Sequence, residues 1–354
     1  MQGIIDSLGA VYDQAIAILL YPSDSSQRIF WLYVLSSVVV AYFVYRAIKA
    51  KGSHATARDS DAANGTFLQF LFPRSVWSHP SAWLDLRYFV FHHMVVHFLL
   101  LVVGGFGLVA GYQVVSDGHA IADMEPQAPS GGIGAWALAA GFMFVVFFVL
   151  DFVSWTIHYL QHKVPLLWQF HKVHHSAEVM HPISNYREHP VDNVVYAFFT
   201  MLFFGMMYGA AQRFFGVAPT MPTFFGIPLM MFLFNIVAYN LRHSHVWLRW
   251  PGIWSVVFPS PAHHHVHHSC HPDHIDKNFA FMFPVFDKIF GTYEMPEDNR
   301  DVKFGVPEDE GRDLDGVLKL YWVPFRDAYR LFRPKKAPAE DKSPAGDTVN
   351  IPAE

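Results

Sequence analysis

Ile133-Gly-Ala-Trp-Ala-Leu-Ala-Ala-Gly-Phe-Met-Phe-Val-Val-Phe-Phe-Val-Leu150 carries no charge, and runs through Asp151 into His158-Tyr-Leu-Gln-His162. An apolar run of this length reaches the roughly 17–25 residues that take a helix across a bilayer. Continued helically, it puts His158 and His162 a turn apart on one face. A membrane span thus delivers a pair of imidazoles. The fold expected around it is an all-α integral membrane protein of about four to five transmembrane helices under a histidine-rich helical cap.

Outward from this segment, Ile29–Tyr45 and Tyr88–Ser116 read as earlier spans. Asn193–Gln212 and Phe214–Leu241 read as a later pair, split by Arg213 and the Gly216–Pro222 turn, and form either spans or a re-entrant hairpin. Ile4–Tyr21 reads as an interfacial helix. Arg46, Lys49, Lys51, Arg58, Arg74 and Arg87 lie between the first two spans, whereas the 112–132 loop has no Lys or Arg. Positive charge stays cytoplasmic, so 51–87 and the histidine-rich end are expected on that face. The resulting division is 1–28 non-cytoplasmic or interfacial, 29–135 N-terminal membrane region, 136–295 catalytic domain, 296–332 cytoplasmic segment and 333–354 disordered tail. The tail's Pro, Ala, Lys and Asp give it little to bury.

Composition narrows the function. Apolar residues reach 52% and charged residues only 16%, against about 25% charged in soluble domains. A net charge of -5 offers no basic face for nucleic acid. Cys270 is the single cysteine, which excludes internal disulfides, thiolate zinc sites and iron–sulfur clusters. Histidine is in excess: of 22, 16 fall between His158 and His274.

Two further clusters join the first. His171-Lys-Val-His174-His175 and His264-His-Val-His267-His268 both space histidines at i, i+3 and i+4. With His158 and His162 these boxes supply eight imidazoles. A structural zinc takes four ligands and a catalytic zinc three, so eight suit two metals of higher coordination number. All-nitrogen ligation suits iron, copper or zinc rather than magnesium or calcium. The His-Glu-x-x-His protease motif is absent. A two-metal hydrolase and a histidine-rich metal-binding or transport protein remain the rival classes.

The order His-x3-His, His-x2-His-His and a distant His-x2-His-His resembles the fatty acid hydroxylase / sterol desaturase superfamily. The flanks add to the resemblance: Trp168-Gln-Phe-His-Lys-Val-His-His-Ser176, Arg187-Glu-His189-Pro190, Asp276-Lys-Asn278 and Phe286-Asp-Lys-Ile-Phe-Gly-Thr-Tyr293. It covers roughly residues 140–295. Two positions depart from the family pattern: Tyr159 stands where the family has Arg, and His181 where it commonly has Asn.

The resemblance implies two iron ions, dioxygen, and hydroxylation or desaturation of a sterol, fatty acyl chain, sphingolipid or ether lipid. It adds His189 and His243 to the eight box histidines as ligands. His181, His245, His263 and His265 stand as substitutes, and His93 and His97 as cavity-lining residues. Asp151, seven residues before His158, is expected to orient an imidazole, because a carboxylate so near the bilayer needs a partner. His245 and Asp287 are placed in the same supporting role. With no Gly-x-Gly-x-x-Gly fingerprint and no haem motif, electrons must come from a separate cytochrome b5-like or ferredoxin-like donor.

Overall fold

The computed structural model describes residues 2–51, 64–123, 126–127, 131–237, 239–297 and 302–333. The expected tail beyond Arg333 lies outside them, as does part of the 51–87 loop. The architecture is helical, with two small two-stranded ribbons. The helices used below are α1 (Gln2–Leu20), α2 (Trp31–Lys51), α3 (Pro80–Val115), α4 (Ile133–Lys163), α5 (Pro165–His175), α6 (Pro190–Phe215), α7 (Leu229–Ile236), α8 (Pro261–His267) and α9 (Val317–Leu331).

Four of these, α2, α3, α4 and α6, are long and apolar enough to cross a membrane. At 1.5 Å per residue the 36 residues of α3 span roughly 54 Å, well beyond a hydrocarbon core of about 30 Å. Its first turns therefore belong to the cap, as do the last turns of α4, which carry His158 and His162. The second half of the expected hairpin is not a span. It forms a tight ribbon, Thr223–Phe224 with Ile227–Pro228, and then the 8-residue α7. Gly216, Pro219, Pro222, Gly226 and Pro228 interrupt the helix throughout this stretch.

α3 and α6 pack parallel to each other with their backbones in contact, from His92 with Asn193 near the cap to Gly111 with Leu202. A Cβ added at Gly111 would sit 1.9 Å from the Leu202 carbonyl oxygen, and one at Gly205 2.2 Å from that of Leu108. Small residues four apart permit this approach, which is how helices associate where hydrophobic burial offers no driving force. Their outward faces stay apolar and exposed, at Leu101, Val102 and Phe106 on α3.

Parallel pairing of Pro126–Gln127 with Ala218–Pro219 brings the α3–α4 and α6–α7 connections together at the end away from the histidines. The chain then returns through α7 and the 3-10 turn Tyr239–His243 to α8. The 1–28 segment does not stand apart from the cap: Tyr21 packs on Phe89, Tyr186 sits in the same cluster, and Arg28 reaches Glu188.

Candidate metal centre

The cap gathers histidines from four elements. α4 brings His158 and His162, α5 brings His171, His174 and His175, the 3-10 turn brings His243, and α8 with the residue after it brings His264, His267 and His268. They form two buried or nearly buried groups. His158, His162, His171, His175 and His267 make one; His174, His243, His264 and His268 make the other. Within each group one nitrogen per residue lies within 4.8 Å of the others. The groups adjoin through His175 and His268, whose rings stack at 4.4 Å.

The outer nitrogens are held by oxygen. Nδ1 of His158 donates to the Phe279 carbonyl at 3.1 Å, and Nδ1 of His267 to that of Lys277 at 2.9 Å. Nδ1 of His171 lies 3.2 Å from Asp192 Oδ2, and Nδ1 of His162 3.4 Å from Asp276 Oδ1. A proton fixed on Nδ1 leaves the Nε2 lone pair free and raises its basicity. Nε2 of His158, His171 and His267 are buried with no hydrogen-bond partner. Such groups need an occupant. Elsewhere imidazole nitrogens meet each other: His243 and His264 at 2.9 Å, His264 and His268 at 3.0 Å, His162 and His175 at 3.2 Å. Two nitrogens bound at right angles to one ion at about 2.1 Å would sit roughly 3.0 Å apart, so the donor set fits metal.

Electrostatics agree. Burial, followed by crowding from other imidazoles, holds His171, His175, His267 and His268 well below the usual histidine range. Burial lowers His174 to about 4. Burial and then the Arg242 guanidinium lower His264. All stay neutral near pH 7, the state that ligates.

Nine of the ten expected ligands stand in these groups. His189 does not. It caps α6, its Nδ1 accepting from Val191 N at 3.1 Å and its Nε2 donating to the Tyr321 carbonyl at 3.1 Å. Both nitrogens are spent on the fold. Asp151 also departs from expectation. Its carboxylate accepts the Met282 and Phe283 amides at 2.9 and 2.8 Å, and no imidazole. A buried carboxylate is satisfied as well by two backbone N–H groups as by a histidine. His245 donates to the Phe70 carbonyl, away from both groups.

Asp287 works through the backbone. It accepts from the Phe279 and Ala280 amides, Trp155 Nε1 and Thr292, fixing the loop whose Phe279 carbonyl orients His158. His263 and His265 bond to Tyr293 and the Leu241 carbonyl, and His181 to Asp85.

Sequence reasoning missed Asp192 as a partner of His171 and Asp276 as a partner of His162. A carboxylate at the start of an apolar helix was the available signal for Asp192. Arg187 is another structural support. Only 1% exposed, its guanidinium pairs with Asp85 and donates to the Ser176 and Ser81 carbonyls. Its own carbonyl accepts from His174 Nδ1 at 3.2 Å.

A cavity of about 310 Å³ opens onto His158, His171, His174, His243 and His264. It extends between the spans to Leu100 on α3 and Tyr196 on α6, and Phe279 and Phe281 add apolar wall. Arg28, Glu188 and Asn193 form a polar wall, with Glu188 3.2 Å from Arg28 and 2.6 Å from Asn193.

Residues 143–292 match the fatty acid hydroxylase family model. The chain is 27% identical to an alkylglycerol monooxygenase of Caenorhabditis elegans, over 49% of this chain and 31% of that protein. It is 26% identical to an ornithine lipid hydroxylase of Rhizobium tropici, over 50% and 48% respectively. It is 32% identical to human cholesterol 25-hydroxylase, over 42% and 48%. The matches therefore span about a third to a half of these relatives' own length. No solved structure matches the chain. The helical membrane architecture, the boxed histidines and these matches agree: the chain carries a domain of the fatty acid hydroxylase / sterol desaturase superfamily.

Proposed function

We propose that the chain is a dioxygen-dependent lipid hydroxylase whose two histidine groups each hold an iron ion. The observation that carries this is the set of buried Nε2 atoms without partners, each backed by an Nδ1 that an oxygen holds. When bound, the ions supply the reduction of dioxygen and the oxidising power to break an unactivated C–H bond.

The protein's own groups do the rest. Phe279, Lys277, Asp192 and Asp276 fix the imidazole rings. The cavity between α3, α4 and α6 admits a lipid from the bilayer to five of the nine histidines. Burial keeps bulk water from the reacting carbon. The relatives' names point to hydroxylation rather than desaturation, with alkylglycerols, ornithine lipids and sterols as the first substrates to try. The histidine end faces the cytoplasm by the distribution of Lys and Arg, and there a separate electron donor docks.

Lipid profiling tests the substrate: cells expressing the chain and cells expressing His267→Ala are grown with oxygen and their lipids compared by mass spectrometry. One class should gain a mass of one oxygen only with the intact chain. Identical profiles across all lipid classes would remove the hydroxylase reading.

A further inference from the structure

The nine histidines separate two cavities. Five line the cavity that reaches the spans, and the other four, His162, His175, His267 and His268, line a second cavity of about 250 Å³. Each histidine of the two groups appears in one cavity wall, and the two walls share no residue among those described. Apart from the four histidines and Trp168, the second cavity is walled by Ser269, Cys270, Ile275 and Asp276 on one side and by Gly305–Pro307 with Glu310 on the other. Among the described residues, its only contribution from a candidate span is His162, a residue from the end of α4.

We propose that this second cavity is the port through which a divalent metal ion enters and leaves the histidine groups, an inference that rests on those groups holding metal. The first cavity lies among helices that face lipid, and a hydrated cation cannot shed its water into hydrocarbon. The second offers ligands in order. Two carboxylates stand in its wall. Asp276 is 28% exposed at the side chain and lies 3.4 Å from His162 Nδ1. Glu310 accepts from Trp168 Nε1 at 2.7 Å, and the indole lies 5.2 and 5.6 Å from the His162 and His175 rings. Deeper in the same wall, His267 Nε2 and His268 Nδ1 are buried without hydrogen-bond partners. A hydrated ion meets oxygen first and imidazole second, exchanging water for nitrogen in steps. Lys163 pairs with Asp276, so it is the Glu310 carboxylate that concentrates cations at the mouth and speeds their capture.

Loading kinetics test the port. The full chain, stripped of metal and held in lipid nanodiscs, is mixed with Co²⁺, and uptake is followed by the absorbance of cobalt–imidazole coordination. Val306→Trp plugs the outer mouth, Glu310→Gln removes charge while keeping an acceptor for Trp168, and Leu100→Trp plugs the lipid cavity. Removing a focusing charge should slow loading on the order of threefold and flatten its dependence on salt. The outer plug should slow it much more, and the lipid-side plug should leave the loading rate unchanged.

Final cobalt per chain should equal that of the unsubstituted protein in every variant, which shows that the fold survived. Should Val306→Trp take up no cobalt at any time, Glu310→Gln and its salt dependence decide. Slowing by Leu100→Trp alone would overturn the port. So would unchanged loading with a loss confined to reductant-driven turnover, which would make this face a donor-docking surface. No cobalt uptake by the unsubstituted chain would instead remove the metal-centre reading itself.

Discussion

The five-histidine and four-histidine groups use one residue type in two different settings. In the larger group, His158 and His267 donate to carbonyls and His171 and His162 face the carboxylates Asp192 and Asp276. In the smaller group, His174 donates to a carbonyl and His243 meets the Ser184 hydroxyl at 3.1 Å, and among the described residues no carboxylate is hydrogen-bonded to either. His264 has a guanidinium instead, Arg242 at 3.4 Å from its Nδ1. A carboxylate makes an imidazole a better donor, whereas a neighbouring cation withdraws density. The larger group should therefore bind its ion more tightly, and titration of the stripped protein with metal should show two affinities.

Removing a ligand breaks this comparison most severely. His267→Ala should abolish activity and remove the ion of the larger group, and His264→Ala should remove that of the smaller. Iron analysis of membranes that still contain the protein checks both, and retained iron with full turnover in either variant would contradict the assignment.

Asp192→Asn comes next. It keeps shape but loses charge, so affinity at the larger group should fall roughly 10–100-fold while the smaller group keeps its value. Calorimetric titration separates the two, and equal weakening of both would show that the groups do not differ as described.

Asp151→Asn sharpens the contrast between orienting a ligand and holding a loop. With Asp151 on the Met282 and Phe283 amides, its loss should cost about 1–3 kcal/mol of stability and leave both metal affinities nearly intact. Thermal unfolding measures the first quantity. A large fall in metal affinity at unchanged stability would restore a direct contact with an imidazole. Smallest of all, His189→Gln should leave metal stoichiometry untouched, as a residue spent on a helix cap and a carbonyl should.

What the sequence made legible depended on range. His158 with His162, and His171 with His174 and His175, share helices, so spacing alone placed them together. His243 is adjacent in space to α8 but 21 residues from His264; only resemblance joined it to the site. Asp192 and Asp276 reach their histidines across 21 and 114 residues, and no local period encodes such a contact.

His189 was misread for a local reason. It precedes a proline that opens a helix, and an Nδ1 there accepts the amide two residues on. His79-Pro80 and His271-Pro272 do the same, with Ser81 and Asp273 as donors. A His-Pro pair at a helix start signals a cap, and that signal was present in the sequence. The sequence left Phe214–Leu241 open between a span and a re-entrant segment because hydropathy carries no turn geometry. Phe225 and Gly226, at φ 50° and 78°, reverse the chain in the midst of apolar residues.

The most direct test of the central claim is iron content together with lipid-dependent oxygen uptake on one preparation of purified protein in lipid. The account predicts close to two irons per chain, oxygen consumption only with reductant and a hydroxylatable lipid, and label from ¹⁸O₂ in the product. Zinc in place of iron, with turnover that needs no oxygen and takes its label from water, would contradict it.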